Sequence, residues 1–126
     1  MDITPVLTES AQVINGYGDG GFTITQERHE GGVIIFPTFT QPWDAASFED
    51  ITEESLHAVA EHSAEVEILL IGTGASQQFI TPAFKRQCKE KWGVVIEAMD
   101  TGAACRTYNI LMAEERRVAA ALLPVA

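Results

Sequence analysis

Two short stretches of this chain carry residue types that can hold an anion. They are Gly72-Thr73-Gly74-Ala75-Ser76 and Asp100-Thr101-Gly102-Ala103-Ala104-Cys105-Arg106, and each follows an apolar run. Backbone N–H groups of a glycine loop can converge on one anion, and helix N-termini can add to the field. Gly72, Thr73, Gly74, Ala75, Ser76, Asp100, Thr101 and Arg106 therefore form the candidate crevice for a small anionic ligand. Each residue also has a plainer use: the glycines turn the chain, Asp100 or Thr101 caps a helix, and Arg106 faces solvent. The dinucleotide-binding pattern is incomplete, because Gln77 stands at the third glycine position and the next helix signal comes only at Thr81-Pro82. A P-loop is excluded, since no Gly-Lys-Ser or Gly-Lys-Thr follows.

The nucleophiles are Cys88, Cys105 and Ser76, but no histidine falls in the crevice region to serve as their base. Asp100 with Tyr108 has acid–base chemistry in principle, although a helix cap and a core tyrosine account for both. No catalytic residue is assigned. His57 and His62 are five apart, off the i, i+4 spacing of a metal pair, and His29 is distant, so neither metal nor cofactor is expected.

These residues need elements to place them. Val66 to Ile71 reads as the central strand of the sheet, buried on both faces and ended by the glycine loop. Thr81-Pro82 opens a helix ended by Gly93, with Phe84, Cys88 and Trp92 on one side, and Val94 to Met99 is the next strand. Strand, helix and strand in this order imply a right-handed parallel crossover, which brings both strand ends to one crevice. The helix beginning at Asp100 or Thr101 has an inward stripe of Ala104, Thr107, Tyr108, Leu111 and Met112, and Val118 to Leu123 is the last strand. No glycine ends that helix, so Glu114 or Glu115 takes a left-handed conformation at about 1 kcal/mol.

Upstream, the glycines of 16–21 turn a β-hairpin between Val13-Ile14 and Phe22 to Thr25. Glu27 to Gly32 reads as a polar turn and Val33 to Phe36 as an apolar strand. Pro37 to Asp50 reads as a long connection with Trp43 plugged into the core. Thr52 caps a first helix whose stripe is Leu56, Val59 and Ala60, with Ile51 and Leu56 as a hydrophobic staple.

With 126 residues and 46% hydrophobic content, the chain suits a single domain over 1–126, with 1–11 as a loosely held arm. Its formal charge of −10 is unevenly spread: Arg28 is the one cation up to Glu67, whereas seven cations face five acids beyond it. Such acidity argues against nucleic acid or an anionic membrane surface as the main partner. Lys85, Arg86, Lys89 and Lys91 give one helix a basic side that fits an acidic protein or is simply solvated. No stretch approaches the roughly 20 apolar residues of a membrane span, and no export signal opens the chain. A soluble, cytoplasmic protein with two free thiols is expected.

The run Ile51-Thr52-Glu53-Glu54-Ser55-Leu56, the glycine loop, Met99 to Asn109 and Arg117-Val118-Ala119-Ala120-Ala121-Leu122 together resemble a family of small domains of unknown function. That family includes the mitochondrial respiratory complex I assembly factor three and an adipogenesis-associated mammalian protein. The resemblance runs from about Ile14 to Pro124. It implies a three-layer α/β fold whose central mixed, largely parallel sheet has flanking helices and an added N-terminal β-hairpin. It supplies no catalytic residues. One departure is Glu115, where members often have glycine. The resemblance favours a non-enzymatic interaction or assembly domain with a protein partner, and the alternative is a small-molecule or anion-binding module, or an enzyme, built on the glycine loop.

Overall fold

The computed structural model describes residues 11–126. Strands β1 (Ile14–Gly18), β2 (Gly21–Ile24) and β3 (Glu27–Glu30) form a three-stranded antiparallel sheet in that order. A second sheet of five strands contains β4 (Gly32–Phe36), β5 (Phe39–Trp43), β6 (Ile68–Gly72), β7 (Val95–Met99) and β8 (Val118–Leu122), in the order β5-β4-β8-β6-β7. Helices α1 (His57–Glu61), α2 (Pro82–Trp92) and α3 (Thr101–Ala113) complete the chain.

The expected parallel pairing of the two strands is present: β6 runs parallel to both β7 and β8. The sheet is nevertheless not largely parallel, because β4 pairs antiparallel with both β8 and β5. Nor is β6 its centre. That place belongs to β8, every residue of which is buried. Its side chains alternate between two apolar clusters. Ala119 and Ala121 face Leu69, Ile71, Leu56 and Cys88, while Val118, Ala120 and Leu122 join Leu70, Val33, Ile35 and Tyr108.

The hairpin expectation falls short by one strand, and the hairpin belongs to a sheet of its own. The stretch read as a polar turn contains β3, which pairs with β2 from Gly21↔Glu30 to Ile24↔Glu27. Its connecting turn is Thr25-Gln26, with φ of 49° and 71°. Two-residue hairpin turns normally place Asn or Gly at these angles, so the sequence carried no signal. Local hydrogen bonds hold the strained pair: Thr25 Oγ1 accepts from the Val13 amide at 3.0 Å, and Asn15 Oδ1 accepts from the Gln26 amide at 2.7 Å. The turn at Asp19-Gly20 has the expected positive φ.

The connection from Pro37 to Asp50 likewise contains a strand, β5. It lies at the sheet's edge, where Pro42 interrupts no inner ladder. Trp43 is a core plug, as expected, and its Nε1–H donates to the Ser55 carbonyl at 2.8 Å. The expected first helix is broken into a 3-10 turn, Glu54–Leu56, and the short α1. Thr52 still caps it, accepting from the Ser55 amide at 3.0 Å, and Leu56, Ala58 and Val59 are buried while Ala60 is half-buried. Of the expected loose arm, Ala11 is buried and the preceding residues lie outside the described region.

The other helices follow their capping signals. Thr81 Oγ1 accepts from the Phe84 amide at 3.2 Å at the start of α2, and Gly93 ends it at φ 72°. At the end of α3 the left-handed residue is Glu115, with φ 61°. Glu115→Gly should therefore raise the thermal unfolding midpoint, by an amount corresponding to at most about 1 kcal/mol. A midpoint lowered by this change would show that the left-handed turn stores no strain.

Candidate functional site

The fold brings most of the candidate crevice together. Gly72 pairs with Met99 on one side and Leu122 on the other, so three chain segments meet at the glycine loop. A Cβ on Gly72 would lie 3.0 Å from the Thr101 Cα and 2.9 Å from Leu122 Cδ2, which leaves room for glycine alone. Gly74, at φ 100°, supplies the turn.

The polar groups here bond mainly to one another. The Thr73 amide donates to the Met99 carbonyl at 2.9 Å, and the Thr101 amide donates to the Gly74 carbonyl at 2.8 Å. The Gly74 amide donates to Thr101 Oγ1 at 2.9 Å, and that hydroxyl donates in turn to the Leu123 carbonyl at 2.8 Å. Thr73 Oγ1 donates to the Ser76 carbonyl at 2.8 Å and accepts from the Gln78 amide at 3.0 Å. Both threonines are buried. The Thr73, Gly74 and Gln78 amides are thus taken by the turn, whereas Ala75 and Ser76 are exposed beside it.

Asp100, not Thr101, caps α3, accepting from the Ala103 amide at 2.9 Å. Tyr17 of β1 covers the same helix end, its hydroxyl pressed against the position a Gly102 Cβ would take. The sequence offered no hint of Tyr17, since only the packing of the small sheet over α3 brings it there. Arg106 is exposed on α3 and has no ion-pair partner among the described residues.

Neither thiol is set up as a nucleophile. Burial is the main cause that pushes Cys88 up to about 11 and Cys105 up to about 12, with the Arg106 charge only partly opposing the shift at Cys105. The Tyr108 hydroxyl is fully buried and finds no hydrogen-bond partner among the described residues, so burial raises its pKa too. His62 packs on the rings of Phe39 and Phe36, at centroid distances of 4.9 and 5.3 Å, far from a catalytic pairing. No group of three His, Cys, Asp or Glu suited to a metal occurs among the described residues.

The basic side of α2 divides. Phe84 and Lys91, nearly two turns apart, share one flank, and there the Lys91 Nζ meets Glu53 at 2.8 Å. Lys85, half-buried, and Lys89 share another flank, and Arg86 faces solvent. Lys89 approaches Glu67, which also holds Arg116 at 3.0 Å and Arg117 at 3.9 Å. The Arg116 bond and these positive charges hold the Glu67 carboxyl below its usual range. Only tertiary structure joins Arg116 and Arg117 to the α2 cations. On the opposite flank, two concave surfaces of about 590 and about 160 Å³ share Ile51 and Phe84, and none of the crevice residues lines them.

Three comparisons bear on this arrangement. The family described as "Protein of unknown function (DUF498/DUF598)" matches residues 14–123. The chain is 35% identical over 97% of its length to NADH dehydrogenase [ubiquinone] 1 alpha subcomplex assembly factor 3 of Xenopus tropicalis. It spans 67% of that relative and 61% of the Bos taurus one. Among solved structures, a protein described as an outer membrane protein from Bartonella henselae is similar at TM-score 0.84 and 36% identity, covering 93% of this chain and 98% of that one. A Bordetella pertussis protein described as an Mth938-like domain is similar at TM-score 0.81 and 33% identity, covering 98% of this chain and 92% of that one.

Two outcomes follow from the site's bonding. Thr101→Val removes the hydroxyl but keeps the shape, leaving the Gly74 amide and the Leu123 carbonyl without it, so chemical denaturation should report a loss of about 2–4 kcal/mol. A loss below about 0.5 kcal/mol would mean that the bridge contributes nothing. The raised thiols set an alkaline limit. An acid held protonated by the fold releases its proton more readily once unfolded, so their contribution is complete below the unfolded value of 9.0 and lost as pH rises toward about 11 and about 12. Denaturation midpoints should fall above pH 9, and Cys88→Ala with Cys105→Ala should flatten the fall.

Proposed function

We propose that this chain, which belongs to the DUF498/DUF598 family of proteins of unknown function, works as a non-enzymatic interaction domain in the assembly of a respiratory NADH dehydrogenase. The observation that carries this reading is the 35% identity to an NADH dehydrogenase assembly factor, sustained over 97% of the chain. The chemistry agrees with it. Both thiols are buried and held protonated, the Thr73 and Gly74 amides serve the turn, and the features left to solvent are charged and apolar surfaces. The small-anion alternative on the glycine loop is not favoured, for the same reason.

The surface assigned to an acidic protein partner is Lys85, Arg86 and Lys89, extended by Arg116 and Arg117, with Lys91 turned to Glu53 instead. The reading includes a three-layer arrangement of α1 and α2, the five-stranded sheet, and α3 with the small sheet. It is supported by the two separate apolar clusters. A cytoplasmic location belongs to the same proposal and is supported by two unpaired cysteines. Among the described residues no helix is long and apolar enough to cross a membrane.

Deleting the gene should lower the amount of assembled NADH dehydrogenase severalfold on native gels, and the wild-type chain should restore it. A chain carrying Arg86→Glu and Lys89→Glu should be folded, by thermal unfolding, yet fail to restore. Unchanged enzyme levels in the deletion strain would overturn the assembly role. Full rescue by the charge-reversed chain would remove the basic patch from it.

A further inference from the structure

The flank of α2 opposite the basic patch holds an apolar groove whose other wall comes from the segment before α1. Phe48, Ile51, Phe84 and Trp92 are half-buried along it. Phe79 stands at its rim, 75% exposed. Phe79 lines a concavity of about 160 Å³ with Phe48, Ile51 and Phe84, and Ile51 and Phe84 continue into the neighbouring one of about 590 Å³, so the apolar surface here is contiguous, as docking surfaces are. The 11 residues of α2 extend about 16 Å, which matches the apolar face of a helix two to three turns long.

Charge identifies the occupant. The segment that builds the second wall, residues 44–54, carries Asp44, Glu49, Asp50, Glu53 and Glu54, and no Lys or Arg occurs between Arg28 and Lys85. Glu53 and Glu54 themselves line the groove. Asp50 stays ionised, since the Ala46 and Ser47 amides, each 3.1 Å from its Oδ2, lower its pKa. The cation lining this groove, Lys91, is already paired with Glu53, which leaves Glu54 as the lining carboxylate without an ion-pair partner among the described residues. An apolar floor with an anionic wall complements a segment that is apolar on one face and basic on the other.

We infer that this groove binds a Lys/Arg-rich amphipathic helix of a partner protein, with apolar side chains of the helix packed on Phe79, Phe84 and Ile51 and its cations along Glu54 and the acidic segment 44–54 that carries it. This rests on the interaction reading above and names the partner surface it needs. It also gives the domain two sites of opposite sign on the two flanks of one helix.

The test uses the full chain and a fluorescein-labelled peptide of about five turns, with Leu at helical i, i+3, i+4 and i+7 spacing and Lys elsewhere. Anisotropy should show saturable binding, weakened at least tenfold by Phe79→Ser and by Glu54→Lys, both exposed positions. Glu27→Lys, the same charge change on the small sheet, should alter it less than twofold. A twin peptide with Glu in place of Lys should bind at least tenfold more weakly. Equal binding of both peptides, or equal loss with Glu27→Lys, overturns the proposal by showing unspecific apolar or charge attraction. A dimer of the free chain that Phe79→Ser dissociates would also overturn it, by giving the groove to a second copy. Failure here with an assembly defect in the deletion strain removes the groove alone, whereas peptide binding without that defect removes the assembly role alone.

Discussion

The structure depends on a strand with no solvent on any side. Strand β8 is hydrogen-bonded to β6 along one edge and β4 along the other, and apolar clusters cover both its faces. Such a strand must be short in side chain where elements crowd it, and Ala119-Ala120-Ala121 meets that demand. It also joins two pairing modes, being parallel to β6 and antiparallel to β4. The Thr101 hydroxyl then fastens the end of this strand, through Leu123, to the glycine loop that leaves β6. A buried hydroxyl that both donates and accepts is stable in such a place because neither of its partners is left unpaired.

Close packing at this junction explains why residues suited to ligand chemistry do structural work. A glycine loop at the carboxyl end of a parallel strand is where an α/β protein could hold an anion. Here β6 is flanked on both sides, so the loop is drawn against α3 and its Thr73 and Gly74 amides find acceptors within the chain. Burial has the same effect on Cys105 and Tyr108, which lie under the small sheet on α3 and are held protonated. The surface proposed for a partner lies away from the strand ends, on α2. The helix divides the molecule's charge: cations from the second half of the chain gather on one flank, and carboxylates from the first half border the other.

Several elements are legible in the residue order itself. Thr81-Pro82 and Gly93 bracket α2, a cap at Asp100 or Thr101 opens α3, and a left-handed residue at Glu114 or Glu115 follows from a helix ending without glycine; the fold takes Asp100 and Glu115. Each depends on a signal within one turn of chain. Strand β3 is not legible, because Thr25-Gln26 adopts a turn geometry that its residue types disfavour and that contacts to Val13 and Asn15 stabilise. Strand β5 is hidden by Pro42, which is harmless only because β5 lies at an edge.

The α/β class, the parallel crossover, the caps and the positions of the glycine loops are all properties of the sequence. They follow from periodicity and from backbone preferences that act over a few residues. Folding in three dimensions was needed to settle the strand order, with β8 rather than β6 at the centre, and the fate of the crevice amides. It also settled which cations stand together, as Lys89 with Arg116 and Arg117, and which aromatic residue, Phe79, remains open to solvent. These are pairings between residues far apart in the chain, and competition among all the available partners in the folded state selects them.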